Sequence, residues 1–397
     1  MERQNVLFEP IEINGMQLKN RLVRSATYEC MATEDGKVTD KLINVYTKLA
    51  KGGVGLIILG YSYVQENGHC LPFQVGIYSD DHIPGLKKLV DEVHKLDGKI
   101  ATQLAHAGRQ TVPALIEGET PMAPSAIEAD PLFNTEPREM TVEEIHASID
   151  AFGEAARRSK EAGFDAVQLH SGHGYLIAQF NSPHTNRRTD EWGGNPENRM
   201  RFVVNVYERV REEVGPDYPV LIKLSVEEGI EDGITLNEAS AIAEKLAQIG
   251  IDAIEITGGT IVDTIFMMSR GDIPIDIITR GKESDVKKQT EEILYSIQDV
   301  VKFEEAYWLK HAEKVKQVIG DVPLILVGGM KYPQTMEKIL KENKADFISL
   351  CRPLIREPDL PKQMAEGRKD PVRCSSCNRC LGEIAVCSKP LRCYNLG

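Results

Sequence analysis

The chain has 397 residues, of which 42% are hydrophobic, and it carries a formal net charge of −13. This hydrophobic content can build a sizeable core, so we expect a globular protein with one large domain or two ordinary ones. The acidic charge argues against general binding to nucleic acid or anionic membranes, since it would repel their own negative charge. No basic segment followed by an apolar run opens the sequence, and no stretch reaches the roughly 18 apolar residues of a membrane helix, which favours a cytoplasmic location.

Eight short runs of branched apolar residues alternate with longer segments of helical period. The apolar runs lie at 21–26, 54–60, 99–104, 165–170, 219–225, 252–257, 323–329 and 346–351. The helical segments lie at 39–51, 82–96, 142–162, 196–214, 236–249, 305–319 and 333–343. Strands that are apolar on both faces need cover on both sides, so the pattern predicts an α/β fold, a (β/α)8 TIM barrel. An open doubly wound sheet is the alternative, although the GxGxxG opening that would favour it does not follow the first strand.

Two connections are longer than such a barrel requires. Residues 105–140 follow the third predicted strand, and residues 260–304 follow the sixth. Loops of this length usually cover an active site or bind a partner. We interpret the charged stretch 281–302 within the second loop as a solvated helix. The alternation stops near residue 360, which predicts a barrel domain over 1–365 and a short Cys-rich tail over 366–397.

Polar residues at the carboxyl ends of the predicted strands are candidates for function, because barrel enzymes place their reactive groups there. His170 closes the fourth strand, and His173 and Tyr175 follow it in an H-x-x-H-x-Y spacing. Three hydrogen-bonding groups in this spacing favour a site over a single structural histidine. Gln103 closes the third strand. Lys223 lies within the apolar fifth strand, where a cation is costly unless it faces an anionic partner.

The seventh and eighth strands end in a pattern typical of a phosphate site. Gly328 and Gly329 allow backbone N–H groups to approach an anion, and Arg352 can hold it with two hydrogen bonds. Barrels commonly bind phosphate at this place. Two tight turns and a surface arginine are the alternative interpretation.

Several segments together resemble the Old Yellow Enzyme family of FMN-dependent oxidoreductases. They follow the family's order over nearly all of residues 5–370, and they read FEPIEINGMQLKNRLVRSAT, GGVGLIILG, QLAHAGRQ, APSAI, QLHSGHGYLIAQFNSPHTNRRTDEWGGNPENRMRF, VGGM and CRPLIREPDL. The block from His170 to Arg199 is the most specific part. The resemblance implies an ene-reductase that takes hydride from NAD(P)H through FMN and delivers it to the C=C bond of an α,β-unsaturated carbonyl compound.

The same resemblance implies roles for individual residues. The residues expected around the flavin are Ser25, Ala26, Thr27 and Gly60 beside the ring, Gln103 and Lys223 at its pyrimidine edge and N1/O2 region, and Gly328, Gly329 and Arg352 at the phosphate. His170 and His173 would hydrogen-bond the substrate carbonyl oxygen, and Tyr175 would protonate the α-carbon. The chain departs from the family at Ala26, where many relatives have proline, and at Tyr28, where they have a cysteine or threonine.

The tail contains a cluster of cysteines. Cys374, Cys377 and Cys380 follow one another with two residues between them, and Cys393 comes after twelve more. This spacing resembles the [4Fe-4S] segment of longer relatives, the 2,4-dienoyl-CoA reductases and trimethylamine dehydrogenases, which implies a [4Fe-4S] cluster. A zinc site and free thiols are the alternatives, and Cys387 is a possible substitute ligand.

The longer relatives continue into a domain that binds FAD and NADH, which this sequence does not contain. We therefore expect either that NAD(P)H reduces the FMN directly or that electrons arrive from a separate redox protein. Two other functions remain open: an amine dehydrogenase or demethylase, which the histidine pair disfavours because an ammonium group prefers an aromatic cage, and a flavin and iron–sulfur electron carrier. The family resemblance also leads us to expect a homo-oligomer.

Overall fold

The computed structural model describes residues 5–395. Its strands are β1 Ile11–Ile13, β2 Met16–Leu18, β3 Leu22–Arg24, β4 Leu56–Tyr63, β5 Ile100–Ala105, β6 Met122–Ala123, β7 Arg138–Glu139, β8 Ala166–Ser171, β9 Val220–Ser225, β10 Ala253–Thr257, β11 Leu324–Val327 and β12 Phe347–Leu350. Eight of them close into a parallel barrel in the order β3-β4-β5-β8-β9-β10-β11-β12. All eight predicted strands are confirmed, and so is the (β/α)8 fold.

The helices of the described residues include at least one in each of the seven predicted segments and one in the charged stretch 281–302, and the others were not predicted. The helices are α1 Asp40–Lys51, α2 Ile83–His94, α3 Val142–Glu161, α4 Leu176–Asn181, α5 Pro196–Arg199, α6 Arg201–Val214, α7 Leu236–Gln248, α8 Ile265–Met268, α9 Ile275–Ile278, α10 Ser284–Ile297, α11 Leu309–Lys316, α12 Pro333–Lys341, α13 Arg352–Arg356, α14 Leu360–Ala365 and α15 Arg379–Cys387. Capping boxes of Thr141 with Glu144 and of Thr235 with Glu238 start α3 and α7, because each pair satisfies free backbone N–H groups. The predicted helix 196–214 is divided at Met200 into α5 and α6.

The interior of the barrel changes from apolar to polar towards its carboxyl end. The apolar part includes Val23, Leu56, Ala101, Ala166, Leu221, Ala253, Ile325 and Phe347. For six of the eight strands, the residue two positions after the apolar one is polar and buried. These six residues are Ser25, Gln103, Gln168, Lys223, Glu255 and Ser349. Side chains two residues apart on a strand point to the same face, so these six form a second interior layer. We call these six residues the polar layer. The layer lies directly below the carboxyl end of the barrel, which we call the mouth.

The two long connections and the tail lie around this mouth. β6 and β7 pair within the first connection, and α8, α9 and α10 form in the second. Helix α10 is largely exposed, as its charged sequence predicts. In the tail, Leu381 of α15 packs against the second connection, and Ile384 packs near Cys30. No helix in the described part of the chain is both long and apolar enough to cross a bilayer.

Candidate active site

His170, His173 and Tyr175 lie together at the carboxyl end of β8. The ring centroids of His170 and His173 are 5.1 Å apart, and those of His170 and Tyr175 are 4.7 Å apart. His170 belongs to β8, His173 lies in the turn that follows, and Tyr175 precedes α4. The fold therefore brings the three side chains of the H-x-x-H-x-Y spacing to one place.

The turn after β8 is fixed by contacts to three other segments. His173 adopts a φ of 58°, a left-handed conformation that is uncommon for a residue with a side chain. Its backbone N–H donates to Ser225 Oγ at 3.2 Å, and its carbonyl accepts from Gln110 Nε2 and from the Ile261 N–H at 3.1 Å each. Gln110 and Ile261 belong to the two long connections. Both connections therefore help to hold His173 in position.

Both imidazoles are neutral at physiological pH. Burial, assisted by the neighbouring His173 and Lys223, lowers the pKa of His170 well below its ordinary value. Burial, with a contribution from Lys223, lowers the pKa of His173 to about 3. The Nε2 atom of His173 lies 2.7 Å from Thr257 Oγ1, whereas the buried Nδ1 atom of His170 has no hydrogen-bond partner in the described residues. His170 therefore has a ring nitrogen free to bind a ligand.

The phenol of Tyr175 is buried and held by a second tyrosine. Its hydroxyl donates a hydrogen bond of 2.7 Å to the hydroxyl of Tyr61, and it lies 3.7 Å from Cys70 Sγ. Burial raises the pKa of Tyr175 well above its ordinary value, so the phenol keeps its proton. Sequence reasoning missed Tyr61, although its position directly after Gly60 at the end of an apolar run was a usable signal.

Lys223 has a protein partner inside the barrel. Its Nζ donates a hydrogen bond of 2.7 Å to Ser25 Oγ and lies 3.3 Å from Glu255 Oε2. A buried cation requires an anionic partner, and the structure supplies one on the neighbouring strand. Gln103, expected at the flavin edge, donates to Gln168 Oε1 at 2.7 Å. Both side chains thus belong to one buried network.

Three members of this network were not predicted from the sequence. Gln168, Glu255 and Ser349 each interrupt an apolar strand at a position that points into the barrel. The signal was the same one that identified Lys223, a polar residue within an apolar run. Only the closed barrel shows that they share one interior, because Glu255 bonds to residues of strands that are not its neighbours.

The other residues expected beside the flavin ring directly follow β3 or lie within β4. Thr27 Oγ1 donates to the Ser25 carbonyl at 2.9 Å and lies 3.3 Å from Cys351 Sγ. A side chain at Gly60 would collide with the Thr27 backbone, so glycine is required for this close approach. Ala26 is half-buried beside the apolar interior. These residues line the same end of the barrel as the polar layer.

The predicted phosphate residues line one cavity of about 70 Å³. Gly328 and Gly329 have φ values of 106° and 68°, which glycine adopts readily. A Cβ atom at Gly328 would lie 2.7 Å from the rings of Tyr307 and Trp308, which pack beneath the turn. Arg352 lines the same cavity, and it also donates to Asn378 Oδ1 at 2.6 Å and to the Arg270 carbonyl at 2.9 Å. Arg352 therefore joins this cavity to the tail.

The four predicted ligand cysteines line a second cavity. They are Cys374, Cys377, Cys380 and Cys393, and Arg352 and Arg356 lie on its wall. Cys387 lies apart and accepts a hydrogen bond of 3.4 Å from Arg280 Nη1. Within residues 5–395, no three His, Cys, Asp or Glu side chains are arranged as a ready metal site. The cysteines share one place in the fold, and an iron–sulfur cluster there stays a prediction.

Comparison with known proteins places the chain in a family. Residues 6–371 match the NADH:flavin oxidoreductase / NADH oxidase family. A NADH oxidase of Thermoanaerobacter brockii is 37% identical over 390 residues, which cover 98% of this chain and 55% of the relative. A solved complex of 2-naphthoyl-CoA reductase with 2-naphthoyl-CoA is similar with a TM-score of 0.84 and 31% identity, over 98% of this chain and 56% of that one. An old yellow enzyme homologue from Zymomonas mobilis has a TM-score of 0.73 and 26% identity, over 94% and 96%.

The chain spans about half the length of the first curated relatives that it matches. The matched region nevertheless contains the whole barrel, both long connections and the first residues of the tail. The resemblance to the Old Yellow Enzyme family is thereby confirmed: the chain belongs to the NADH:flavin oxidoreductase / NADH oxidase family.

Proposed function

We propose that this protein is an FMN-dependent oxidoreductase that uses NAD(P)H to reduce the C=C bond of an α,β-unsaturated carbonyl compound. The observation that carries this proposal is the group of His170, His173 and Tyr175 above the polar layer, at the end of the barrel where reactive groups lie in this fold. Family membership supports flavin-dependent redox chemistry, and the group of three side chains supports the class of substrate.

The residues at the barrel mouth fit FMN. The cavity lined by Gly328, Gly329 and Arg352 offers a glycine turn and a cation for the phosphate. Within the polar layer, Lys223 and Gln103 offer hydrogen-bonding groups for the ring, and His170 Nδ1 is buried without a partner in the described residues. When bound, FMN would accept hydride from NAD(P)H and pass it to an electron-poor carbon.

The side chains of this chain would bind and protonate the substrate. Because His170 and His173 are neutral, each can donate one ring N–H to a carbonyl oxygen on which negative charge develops. Tyr175 keeps its proton because its site is buried, so it can deliver that proton to the α-carbon. Tyr61 would hold the phenol in place through their hydrogen bond. The aromatic acyl thioester in the 2-naphthoyl-CoA reductase complex is itself a conjugated carbonyl compound.

We further propose that residues 366–397 form a metal-binding tail that holds a [4Fe-4S] cluster. Cys374, Cys377, Cys380 and Cys393 supply four thiols around one cavity, the number that such a cluster takes. Arg356 donates to Cys393 Sγ at 3.3 Å, so a cation is present to balance thiolate charge. A zinc ion bound by the same thiols is the other outcome.

The two proposals can be tested on the purified protein. Prepared without oxygen, it should contain FMN in a 1:1 ratio, together with iron and sulfide, and it should oxidise NADH or NADPH rapidly only when an enone is added. Colourless protein that takes up no FMN would disprove the proposed function. If only a protein donor reduces the flavin, the result would favour an electron carrier that works with a redox partner. If the protein contains zinc but no iron, the tail binds zinc and not an iron–sulfur cluster. Sedimentation of the same sample would test the proposed homo-oligomer.

A further inference from the structure

Glu255 is a completely buried carboxylate at the centre of the polar layer. Its side chain is 0% exposed, and it lies on β10 in register with Lys223 on β9. Its Oε1 atom accepts hydrogen bonds from Ser25 Oγ at 2.9 Å and Ser349 Oγ at 2.8 Å. Its Oε2 atom accepts one from Gln168 Nε2 at 2.9 Å and pairs with Lys223 Nζ at 3.3 Å. Side chains from four other strands, or from residues just after them, therefore contact this one carboxylate.

This arrangement makes Lys223 part of a neutral pair. A buried charge is costly unless an opposite charge and hydrogen bonds compensate it. Lys223 is only 3% exposed, and its hydrogen bond goes to Ser25, which in turn donates to Glu255. Both contacts of the lysine are thus set by the carboxylate, one directly and one through the serine.

We infer that Glu255 is a positioning residue that fixes Lys223 below the flavin and lowers the reduction potential of that flavin. The inference rests on the proposed binding of FMN at the barrel mouth. Reduction adds negative charge to the ring, so a lone cation below it would favour the reduced form. The carboxylate opposes this effect because its negative charge lies beside the cation and acts on the same ring. The net field of the pair, and not that of Lys223 alone, sets the potential.

A purely structural role for Glu255 would change stability but not the potential of FMN that is fully bound. We would therefore measure the midpoint potential and the FMN dissociation constant of the holoprotein for each variant at one pH. In Glu255→Gln the carboxylate charge is lost with little change in shape. The ratio of affinities for reduced and oxidised FMN should rise at least about tenfold, which is roughly 30 mV upward for a two-electron couple.

Two variants accompany this measurement. Glu255→Asp keeps the negative charge but moves it away from Lys223. The ratio of affinities for reduced and oxidised FMN should therefore rise by about threefold, the same direction as in Glu255→Gln. Ser349→Ala removes one hydrogen bond to the same Oε1 atom without changing any charge, and the ratio should change by less than about twofold. If Glu255→Gln fails to fold, the comparison of Glu255→Asp with Ser349→Ala still decides the question.

Failure of this inference differs from failure of the proposed function. If the unaltered protein binds no FMN, the proposed function is wrong and the inference falls with it. If FMN is bound in full and both Glu255 variants keep the original potential, only the inference is wrong. A downward shift in Glu255→Gln would contradict it equally, because the sign follows from loss of a negative charge.

Discussion

The mouth of the barrel and the cysteine tail both contain predicted chemical groups, but the fold holds them in different ways. At the mouth, each polar side chain comes from the end of a strand whose register is set by neighbours on both sides, such as His170 opposite Lys223 and Gln103 opposite Gln168. In the tail, the thiols come from turns and one short helix, with Ser376 and Asn378 in left-handed conformations.

The two regions also differ in what satisfies their polar groups. The polar layer is a closed network of hydrogen bonds with one ion pair inside the barrel. The tail is held by residues outside it: Arg352 donates a hydrogen bond to Asn378, and Arg280 forms an ion pair with Glu383. A site built on strands is therefore prepared before a ligand arrives, whereas a site built on turns depends more on the ligand itself. The following predictions test this difference, from the largest expected effect to the smallest.

The largest effect is expected at the mouth from Tyr175→Phe. Loss of the acid should slow reoxidation of the reduced protein by an enone by about 10²–10⁴-fold, the usual contribution of a general acid. NAD(P)H should still reduce the protein at the original rate, because the phenol is not needed for that step. Stopped-flow measurement of the two half-reactions would separate them. An unchanged rate of reoxidation would remove Tyr175 from the mechanism.

A large loss of stability is expected from Trp308→Ala. Trp308 is 1% exposed and packs below both Gly258 and Gly328. Removal of its ring would leave a cavity and lower the free energy of unfolding by about 3–5 kcal/mol, as measured by denaturant titration. FMN affinity should also fall because Gly328 loses its support. Trp308→Phe should recover part of both losses, and a loss below 1 kcal/mol would contradict this account of the turn.

The histidines of the mouth should make the protein sensitive to acid. His106 accepts from the Gly108 N–H at Nδ1 and pairs through Nε2 with Asn67 Oδ1, so it is neutral, and burial lowers its pKa to about 3. Below pH 6.5 the unfolded chain binds a proton that the folded protein does not, so stability falls as pH falls. From pH 8 to 5 the loss should be about 2 kcal/mol for this one residue.

Unfolding measured at pH 8 and pH 5 would test this expectation. In His106→Gln the difference between the two pH values should be smaller by that amount, whereas the exposed His146→Gln on α3 should behave like the unaltered protein. Equal pH dependence in all three proteins would show that His106 is protonated in the fold. The tail has no histidine in residues 366–397 and should contribute nothing to this effect.

The smallest effect on the barrel is expected from changes in the tail. Cys380→Ser should abolish the iron content of the purified protein, because Cys380 lines the proposed cluster cavity. Cys387→Ser, which alters a thiol outside that cavity, should keep it. Both variants should bind FMN and unfold within about 1 kcal/mol of the original. Loss of FMN in Cys380→Ser would show that the two regions depend on each other through Arg352.

Much of the fold, and the residues of the proposed reactive group, could be predicted from the sequence. The eight apolar runs became the eight barrel strands because buried parallel strands need apolar residues on both faces. Each short run of sequence shows this requirement by itself. His170, His173 and Tyr175 could be identified because they directly follow one such strand. Gly328, Gly329 and Arg352 could be proposed for the phosphate because they end two neighbouring apolar runs, and the four cysteines could be proposed as ligands because of their spacing.

The tertiary structure decided which distant residues meet. Glu255, Gln168 and Ser349 each appear in the sequence as one polar residue in an apolar run, and nothing local says that they face one another. Closure of the barrel brings them onto a single network because side chains two residues apart on every strand enter the same interior layer. The partner of Lys223, and hence the field below the proposed flavin, could not be read from the sequence because it depends on barrel closure and strand register.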